Sequence, residues 1–396
     1  MKIAMVVHGR FHGFDLARAL IARGHDVRIF TNYPVWAVLK FGLAAERVYS
    51  FWPHGVAARI VDRMGPRIGD LANPSLHSVF SKWALKKVRR EKWDAVHAFS
   101  GVAEEVFQGT PEIARHVLVR GSSHIRYQLH ILRDESARTG VRLETPCDWM
   151  VEREEREYRI SDRVCVLSTF ASRSFIEAGV PASKLALLPL GVDAHAFRPT
   201  RDVLAERKRR IRSGAPLRVV LAGTVCFRKG LYDFEKIARA VDPRRIRFQL
   251  IGSVAAEATK FVSSLPSCVE MVPRQPQAEL PQWYAGGDVF MLPTLEDGFA
   301  VVLTQASAGG LPILATTNCA APDFVRDGQN GWVLPIRDPD AFIDRLRWCD
   351  ENREELAEMV DKTYDDFRPR DWSDVAAAFE DILNDSRYHQ AGALHG

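Results

Sequence analysis

Short apolar runs alternate with helical patterns along the whole chain, and this alternation limits the fold more than any other feature. The first series of predicted strands occupies residues 2–8, 26–31, 95–99, 117–120 and 164–168, with a helix at 14–23. The second series occupies residues 217–224, 248–252, 269–272, 289–293 and 312–316, and a further strand is predicted at 332–336. Such alternation is typical of βαβ units, which build parallel sheets covered by helices.

The length of the chain and one segment that contains Pro and Gly indicate two domains. Its 396 residues exceed one ordinary core and suit two of about 150–200 residues each. The stretch LPLGVDAHAFRPT (188–200) separates the two series and is typical of an interdomain connection. We therefore predict two doubly wound, Rossmann-like α/β domains, 1–195 and 196–370, facing across a cleft. Residues 371–396 are predicted to form a C-terminal helix that packs back on the first domain.

Composition and charge narrow the class of protein. A hydrophobic content of 46% with 26% charged residues describes a globular chain, and no apolar run approaches the ~18 residues of a membrane span. The six cysteines lie far apart in apolar surroundings, which favours reduced thiols in the cytoplasm over disulfides or a zinc site. Residues 1–133 hold 20 Lys and Arg against 10 Asp and Glu. This excess favours an anionic partner, although solvated helix surfaces account for part of it.

Neither common nucleotide fingerprint is present. After the first predicted strand the chain reads HGRFHGF, with Gly9 and Gly13 four positions apart, and no GxGxxG motif stands in a suitable place. A GxxxxGK[ST] phosphate loop is also absent. Hydride transfer and P-loop hydrolysis are therefore disfavoured.

Two segments of the second domain indicate anion binding. The first, AGTVCFRKG (222–230), ends a strand and places Arg228 and Lys229 between two glycines. Fixed positive charge on a flexible turn suits a diphosphate, although a solvated turn has the same pattern. The second, 292–317, reads strand, acidic turn, helix and strand, with the helix predicted to start near Phe299. The first N–H groups of such a helix point toward an anion.

The acidic turn before that helix holds two neighbouring carboxylates, Glu296 and Asp297. Helix capping explains an acid here, but two acids at an anion-binding helix start also suit sugar hydroxyls. From these two segments the candidate ligand-contacting residues are Gly223, Arg228, Lys229, Glu296, Gly298, Phe299, Ala300 and Val301.

Seven segments, spread nearly from end to end, carry a family resemblance. They are LARALIARGHDVRIFT (16–31), WDAVHAFS (93–100), RGSSH (120–124), LLPLGVD (187–193), RKG (228–230), EDGFAVVLTQASAGGLP (296–312) and DFVRDGQNGWVLP (323–335). In this order and spacing the chain resembles a family 4 (group 1) glycosyltransferase of the GT-B fold. The resemblance implies a nucleotide sugar held mainly by the second domain and an acceptor held by the first.

The resemblance also implies roles for individual residues. Members of the family retain anomeric configuration, use no metal, and contact the sugar and the ribose through two glutamates eight positions apart. Those positions correspond to Asp297 and Gln305 here, so the chain departs from the pattern at both, and Glu296 is an alternative for the first. The phosphate-binding lysine corresponds to Lys229. The usual arginine corresponds to Thr224, and Arg228 is positioned to replace it.

In the first domain the resemblance singles out His124 and two glycines. His124 corresponds to a histidine near the transferred sugar, and we predict a catalytic role for it together with Asp297, Lys229 and Arg228. Gly9 and Gly13 resemble the glycine-rich loop at the reaction centre, where bare backbone makes room for substrate.

Two further segments bear on metals and membranes. Asp338-Pro339-Asp340 has the DxD spacing of metal-dependent glycosyltransferases, but an aspartate before a proline at the first helical position is a cap pattern, so we predict no metal site. Residues 33–66 combine bulky aromatics with Lys and Arg. They suit either a surface on an anionic bilayer or helices buried against the first sheet. We favour the bilayer because the resemblance implies acceptors of bacterial surface-glycan assembly, which are often lipid-linked.

These features together predict a retaining, metal-independent enzyme. It would move a hexose-type sugar from a nucleoside diphosphate sugar to a glycan or lipid-linked acceptor, in surface polysaccharide or glycolipid biosynthesis. We expect no cofactor, no nucleic acid partner, and a cytoplasmic location with contact at the inner face of the plasma membrane. The alternatives are a non-hydrolysing sugar-nucleotide epimerase and a catalytically degenerate GT-B binding subunit, which the departures at Asp297 and Gln305 would explain.

Overall fold

The computed structural model describes residues 1–385 and contains two parallel β-sheets. The strands β1 to β13 are, in chain order, Lys2–Val7, Asp26–Thr31, Val48–Ser50, Ala95–Phe99, His116–Val119, Arg163–Val166, Leu185–Leu187, Leu217–Ala222, Ile246–Ile251, Val269–Val272, Val289–Leu292, Ile313–Thr316 and Gly331–Leu334. Most match the apolar runs of the sequence, because a strand covered by helices on both faces is apolar along its length.

Helices connect nearly all of these strands. The α-helices α1 to α18 are Gly13–Ala22, Val35–Leu39, Trp52–Arg63, Pro66–Val88, Glu104–Gln108, Ile125–Thr139, Asp148–Ile160, Thr169–Glu177, Ala194–Phe197, Arg201–Arg212, Leu231–Ala240, Thr259–Val262, Leu280–Gly286, Val301–Ala308, Ala321–Phe324, Pro339–Glu351, Arg353–Asp366 and Trp372–Asn384. Short 3₁₀ segments stand at Ala45–Arg47, Ala182–Lys184, Phe227–Lys229 and Ala256–Ala258.

Each sheet is doubly wound, as predicted. The first has seven strands in the order β3-β2-β1-β4-β5-β6-β7, and the second has six in the order β10-β9-β8-β11-β12-β13. In each case the chain winds outward from the first strand, returns, and winds the other way. Ligands of such sheets bind where the winding reverses, beyond the carboxyl ends of the strands. These points lie beside β1 and β8, and the loops that follow both strands line the same cleft.

The predicted strand list lacks β3 and β7. Both contain three residues, stand at the edges of the first sheet, and are no better than half-buried. An edge strand with one covered face needs no continuous apolar run, so the pattern used for the central strands does not detect it.

The chain returns to the first domain at its end. Helix α18 packs on α1, and its Val375, Phe379 and Leu383 share a buried cluster with Leu16 and Leu20. The last part of the predicted C-terminal segment, 386–396, lies outside the described residues. The six cysteines are free thiols, five of them buried, as expected. No helix within residues 1–385 is long and apolar enough to cross a bilayer.

Candidate active site

A cleft of about 1170 Å³ lies between the two domains and is lined by both. The predicted residues that line it are Gly223, Thr224, Arg228, Lys229, Asp297, Phe299, Ala300, Val301 and Gln305. The other predicted residues, Gly9, Gly13, His124, Glu296 and Gly298, do not line it. The second domain therefore contributes most of the predicted site, whereas the first contributes side chains that the sequence analysis did not select.

The two cations of the RKG turn stand together on a 3₁₀ segment, Phe227–Lys229, that follows β8. The turn is held by Gly230, whose φ is +80° and where a Cβ atom would lie 1.8 Å from the Pro293 carbonyl oxygen, so only glycine fits. Arg228 donates from Nη1 to the Glu296 carbonyl oxygen at 2.8 Å. Lys229 forms an ion pair with the Asp297 carboxylate. Burial and the neighbouring Arg228 lower the pKa of Lys229 to about 7.

Asp297 organises the turn before α14. Its Oδ1 accepts from the N–H groups of Phe299 at 3.1 Å and Ala300 at 2.8 Å. Helix α14 starts at Val301, two residues later than predicted, and Ala300 at its N-cap has a φ of +61°. In this structure the Phe299 and Ala300 amides already donate to the Asp297 side chain, so their contact with a diphosphate stays a prediction.

The N-terminus of α14 still offers donors to the cleft. Among residues 1–385, no acceptor takes the N–H groups of Val301 and Val302, and both residues line the cleft. Such N–H groups, with the helix dipole, favour an anion. Ala300 reaches the left-handed region that alanine rarely adopts, and strained backbone of this kind is concentrated at functional sites.

Gln305 faces the cleft with its amide oriented by a neighbour. Tyr284 is fully buried and donates its hydroxyl to Gln305 Oε1 at 3.2 Å. No acceptor within residues 1–385 takes the Gln305 amide N–H₂, so this group remains for a ligand.

Glu296 points away from the cleft, unlike its neighbour Asp297. It is fully buried, and its Oε1 accepts from the Ser123 N–H and hydroxyl, both at 2.9 Å, and from the Ser122 hydroxyl. The structure thus answers the question of which acid faces the cleft: Asp297 does. Gly298 also packs against the first domain, since a Cβ atom there would lie 2.4 Å from the Gly121 carbonyl oxygen.

His124 does not reach the cleft. It is 1% exposed and caps α6 through Nδ1, which accepts from the Arg126 N–H at 3.2 Å. Its ring packs between Tyr158 and Phe175, with centroids 5.1 and 5.0 Å away, and burial lowers its pKa to about 4. The structure therefore does not support the predicted catalytic role, because the chain turns into α6 at this residue.

Arg120, and not His124, lines the cleft on the side of the first domain. It ends the predicted strand 117–120, pairs through Nε with Glu154 at 2.8 Å, and donates to Gln128 Oε1 at 2.9 Å. Burial disfavours its charge, but Glu154, Tyr158 and Glu296 together outweigh burial, and the pKa of Arg120 is raised. Its position as a cation at the carboxyl end of a buried strand was a signal that the sequence already contained.

The loop between Gly9 and Gly13 presents side chains rather than bare backbone. Gly9 donates its N–H to Asn32 Oδ1 at 2.7 Å, and Gly13 begins α1. Between them, Arg10, Phe11 and His12 line the cleft. Phe11 is 64% exposed, stacks on Phe99 with centroids 5.5 Å apart, and has a φ of +40°. An exposed ring on strained backbone marks this loop as a second candidate contact surface.

The DPD segment is a helix cap, as predicted. Asp338 accepts from the Ala341 N–H at 3.0 Å, and Pro339 begins α16. Within residues 1–385, no group of three or more His, Cys, Asp or Glu side chains is arranged to hold a metal ion. Metal independence of the reaction itself stays a prediction.

Several apolar side chains of residues 33–66 are exposed. They are Trp36 at 65%, Leu39 at 45%, Trp52 at 55%, Val56 at 46%, Ile60 at 53% and Met64 at 57%. Phe41 and Phe51 instead pack against the buried clusters of the first domain. The segment therefore has one face packed inward and one facing outward, and its contact with a bilayer stays a prediction.

Two facing doubly wound domains with this cleft define the GT-B class of enzymes. HepE from Anabaena, solved in complex with UDP, has a TM-score of 0.68 at 14% identity over 97% of this chain and 100% of that chain. WaaG, a glycosyltransferase involved in lipopolysaccharide biosynthesis, has a TM-score of 0.64 at 14% identity, with the same coverage. At these identities the likeness concerns the fold.

Family models identify the enzyme group. The glycosyl transferase 4-like domain matches residues 14–191, and the glycosyl transferases group 1 model matches residues 216–352. Together they span most of both domains. The chain belongs to the group 1 glycosyltransferases, of family 4 type, and is a glycosyltransferase.

Two relatives with names match this chain over long segments. WcaL of Salmonella typhimurium, named as a candidate colanic acid biosynthesis glycosyltransferase, is 25% identical over 356 residues, 83% of this chain and 84% of the relative. The GDP-mannose-dependent alpha-(1-6)-phosphatidylinositol monomannoside mannosyltransferase of Mycobacterium tuberculosis is 29% identical over 199 residues. That match covers 47% of this chain and about half, 52%, of the relative.

Proposed function

We propose that the chain is a retaining, metal-independent glycosyltransferase that moves a sugar from a nucleoside diphosphate sugar to a glycan or lipid-linked acceptor. The observation that carries the proposal is the convergence of Lys229, Arg228 and the free N–H groups of Val301 and Val302 on one wall of the cleft. Two cations and a helix N-terminus suit a diphosphate. The UDP complex of HepE and the named relatives support the same ligand class.

The chemistry follows from where charge develops. The bond between the sugar's anomeric carbon and the diphosphate oxygen breaks as the acceptor's hydroxyl oxygen bonds to that carbon. Negative charge accumulates on the leaving phosphate oxygens, which take up the proton that the acceptor hydroxyl loses. Lys229, Arg228 and the α14 amides are held in place before the reaction and stabilise that charge without reorganising. Asp297 positions Lys229 and the turn before α14, and we assign its carboxylate to the transferred sugar. Gln305 donates its amide N–H₂ to a ribose hydroxyl.

A donor panel tests this proposal directly. We would measure thermal stabilisation by UDP-, GDP-, ADP- and TDP-sugars, because a ligand that binds the folded chain stabilises it by RT ln(1 + [L]/Kd). Acceptor-dependent nucleotide release, unaffected by EDTA, is the expected result, and NMR of the product would give retained anomeric configuration. Epimerised free nucleotide sugar without acceptor would favour the epimerase. Binding of donor without any turnover across acceptors would favour the binding subunit.

The acceptor side of the proposal is a glycan or a lipid-linked glycan of surface polysaccharide or glycolipid biosynthesis. The names of WcaL and of the phosphatidylinositol mannoside enzyme support this class. The exposed apolar residues of 33–66 include Trp36 and Trp52, and Lys40 stands over the Trp36 ring at 5.1 Å. Aromatic and cationic side chains on amphipathic helices suit an anionic bilayer surface.

Vesicle sedimentation tests the membrane contact. The wild-type chain should sediment with vesicles containing phosphatidylglycerol more than with pure phosphatidylcholine, and Trp36→Ala/Trp52→Ala should reduce sedimentation. Leu71 is 82% exposed on α4 outside this segment, so Leu71→Ala is the matched control. Equal sedimentation of the wild-type chain and the double variant would argue against contact through residues 33–66.

A further inference from the structure

The loop before α6 and the loop before α14 are bonded to each other across the domain boundary. Glu296 belongs to the second domain, but its carboxylate accepts three hydrogen bonds at Oε1 from Ser122 and Ser123 of the first. Gln128, also of the first domain, donates to Oε2 at 3.3 Å, and Arg228 lies 3.5 Å from the same oxygen. A fully buried carboxylate thus depends on the other domain for most of its partners.

The main chains of these loops also touch. A Cβ atom at Gly298 would lie 2.4 Å from the Gly121 carbonyl oxygen and 2.6 Å from the Ser122 Cα atom. Both contacting atoms are backbone, so a larger residue at 298 would separate the two loops. The absence of a side chain at Gly298 therefore permits the approach that the Glu296 bonds require.

Helix α6, which follows the 121–123 loop, continues this attachment. Its Ile131 and Leu132 pack in the buried cluster of the second domain. At its C-terminal end, Arg138 donates to Asp233 of α11 at 2.8 and 2.5 Å. The helix therefore joins the two domains along its length, and the Glu296 contact stands at its cleft end.

We propose that Glu296 is a positioning residue that latches the 121–123 loop to the 296–298 loop and keeps the two walls of the cleft together. The latch places Arg120 and Ser122 of the first domain opposite Lys229 and Asp297 of the second. Removal of the Glu296 carboxylate leaves the Ser122 and Ser123 donors without their acceptor, and an unsatisfied buried donor destabilises the contact that holds it. The turnover part of this inference rests on the proposed function, but the domain attachment does not.

The latch makes separate predictions for domain separation, donor affinity and turnover. Without the Glu296 side chain the domains should separate more readily. Within the second domain, Lys229 keeps its partner Asp297, and Arg228 loses its contact with Oε2 but keeps its bond to the main-chain carbonyl of residue 296. Turnover at saturating donor should then fall about tenfold or more, whereas nucleotide affinity should change less than about threefold. A purely structural role would lower stability without this division between turnover and affinity.

Small-angle X-ray scattering of the full chain, with donor kinetics and calorimetry, tests the latch. We would compare Glu296→Ala, Glu296→Gln and Ser122→Ala/Ser123→Ala with the wild-type chain, using whichever of UDP, GDP, ADP or TDP stabilises it. The alanine variants should show a larger radius of gyration and reduced turnover, and Glu296→Gln, which keeps an acceptor oxygen, should lie nearer to wild type. Asp323 accepts from the Thr169 N–H at 3.1 Å across the same boundary, outside the cleft, so Asp323→Ala is the matched control.

Each outcome decides the question. Unchanged scattering or unchanged turnover in Glu296→Ala would overturn the latch, as would an Asp323→Ala variant that changes equally. If Glu296→Ala does not fold, the serine variant tests the same contact from the first domain, and unchanged scattering or turnover there overturns the latch. If the wild-type chain transfers no sugar from any donor, turnover does not bear on the latch. A larger radius of gyration in Glu296→Ala would then support the domain latch, while the absent transfer would overturn the proposed function.

Discussion

The two walls of the cleft differ in how their polar groups are held. On the wall of the second domain, Lys229 pairs with Asp297, and the Gln305 amide is oriented by Tyr284. On the wall of the first domain, Arg120 is held by Glu154, but the segment 10–18 is open: Phe11 is mostly exposed, and the side chains of Arg10 and Arg18 are 45% and 44% exposed.

This difference matches two kinds of recognition. Fixed charges and dipoles stabilise a developing charge with little reorganisation, which is what a leaving diphosphate requires. Exposed aromatic and cationic side chains on a loop adapt to a variable partner at a greater entropic cost. We therefore expect the wall of the second domain to hold the donor and the exposed segment 10–18 of the first domain to contact the acceptor, and the changes below test that division.

Removing Lys229 should have the largest effect. Lys229→Ala deletes one preorganised cation and leaves Asp297 unpaired, so turnover should fall roughly 10²–10³-fold, the scale for one electrostatic partner. Donor-saturation kinetics measure the effect. Lys236, an exposed lysine on α11, is the matched control, and Lys236→Ala should behave as wild type. Near-normal turnover in Lys229→Ala would show that the diphosphate does not bind at this wall.

The pH dependence of nucleotide affinity should report on the same lysine. The pKa of Lys229 is lowered to about 7, so the unliganded chain loses this proton as the pH rises above 7. A bound diphosphate favours the charged ammonium, and affinity should therefore weaken by up to about tenfold per pH unit between pH 7 and 9. Calorimetry measures the slope. Lys229→Ala should bind weakly without that slope, and a flat wild-type profile would contradict the assignment.

Gln305 should contribute less, because it makes one neutral hydrogen bond worth roughly 0.5–1.5 kcal/mol. Gln305→Ala should raise the donor Michaelis constant several-fold and leave turnover largely intact, since a ribose contact is similar in the ground and transition states. Gln305→Glu should be tolerated. Unchanged donor affinity in Gln305→Ala would show that Gln305 does not contact the ribose.

The Phe11→Ala variant should have the smallest effect on kinetics, and it tests the wall of the first domain. Phe11→Ala removes an exposed stacking surface, for which about 0.5–1.5 kcal/mol is typical of aromatic contacts. The acceptor Michaelis constant should rise a few-fold, and nucleotide affinity measured by calorimetry should stay at the wild-type value. A loss of nucleotide affinity in Phe11→Ala would show that the two walls do not divide donor from acceptor.

Much of the donor wall was predictable because its signals are local. Arg228 and Lys229 stand in the turn after β8, between Gly223 and Gly230. The cap at Asp338, outside the cleft, is local in the same way, because its partner Ala341 is three residues away. The acceptor wall was harder to predict, because nothing in the 9–13 loop indicates that Phe11 is exposed while both glycines turn away from the cleft.

The sequence by itself determined the two doubly wound domains and the position of the cation pair, since strand and helix patterns and turn residues act over a few neighbouring positions. The tertiary structure decided which of two adjacent acids faces the cleft. Glu296 turns away because Ser122, 174 positions earlier in the chain, donates to it, whereas Asp297 finds Lys229. Partners that distant become neighbours only when the domains pack, so no local pattern contains them.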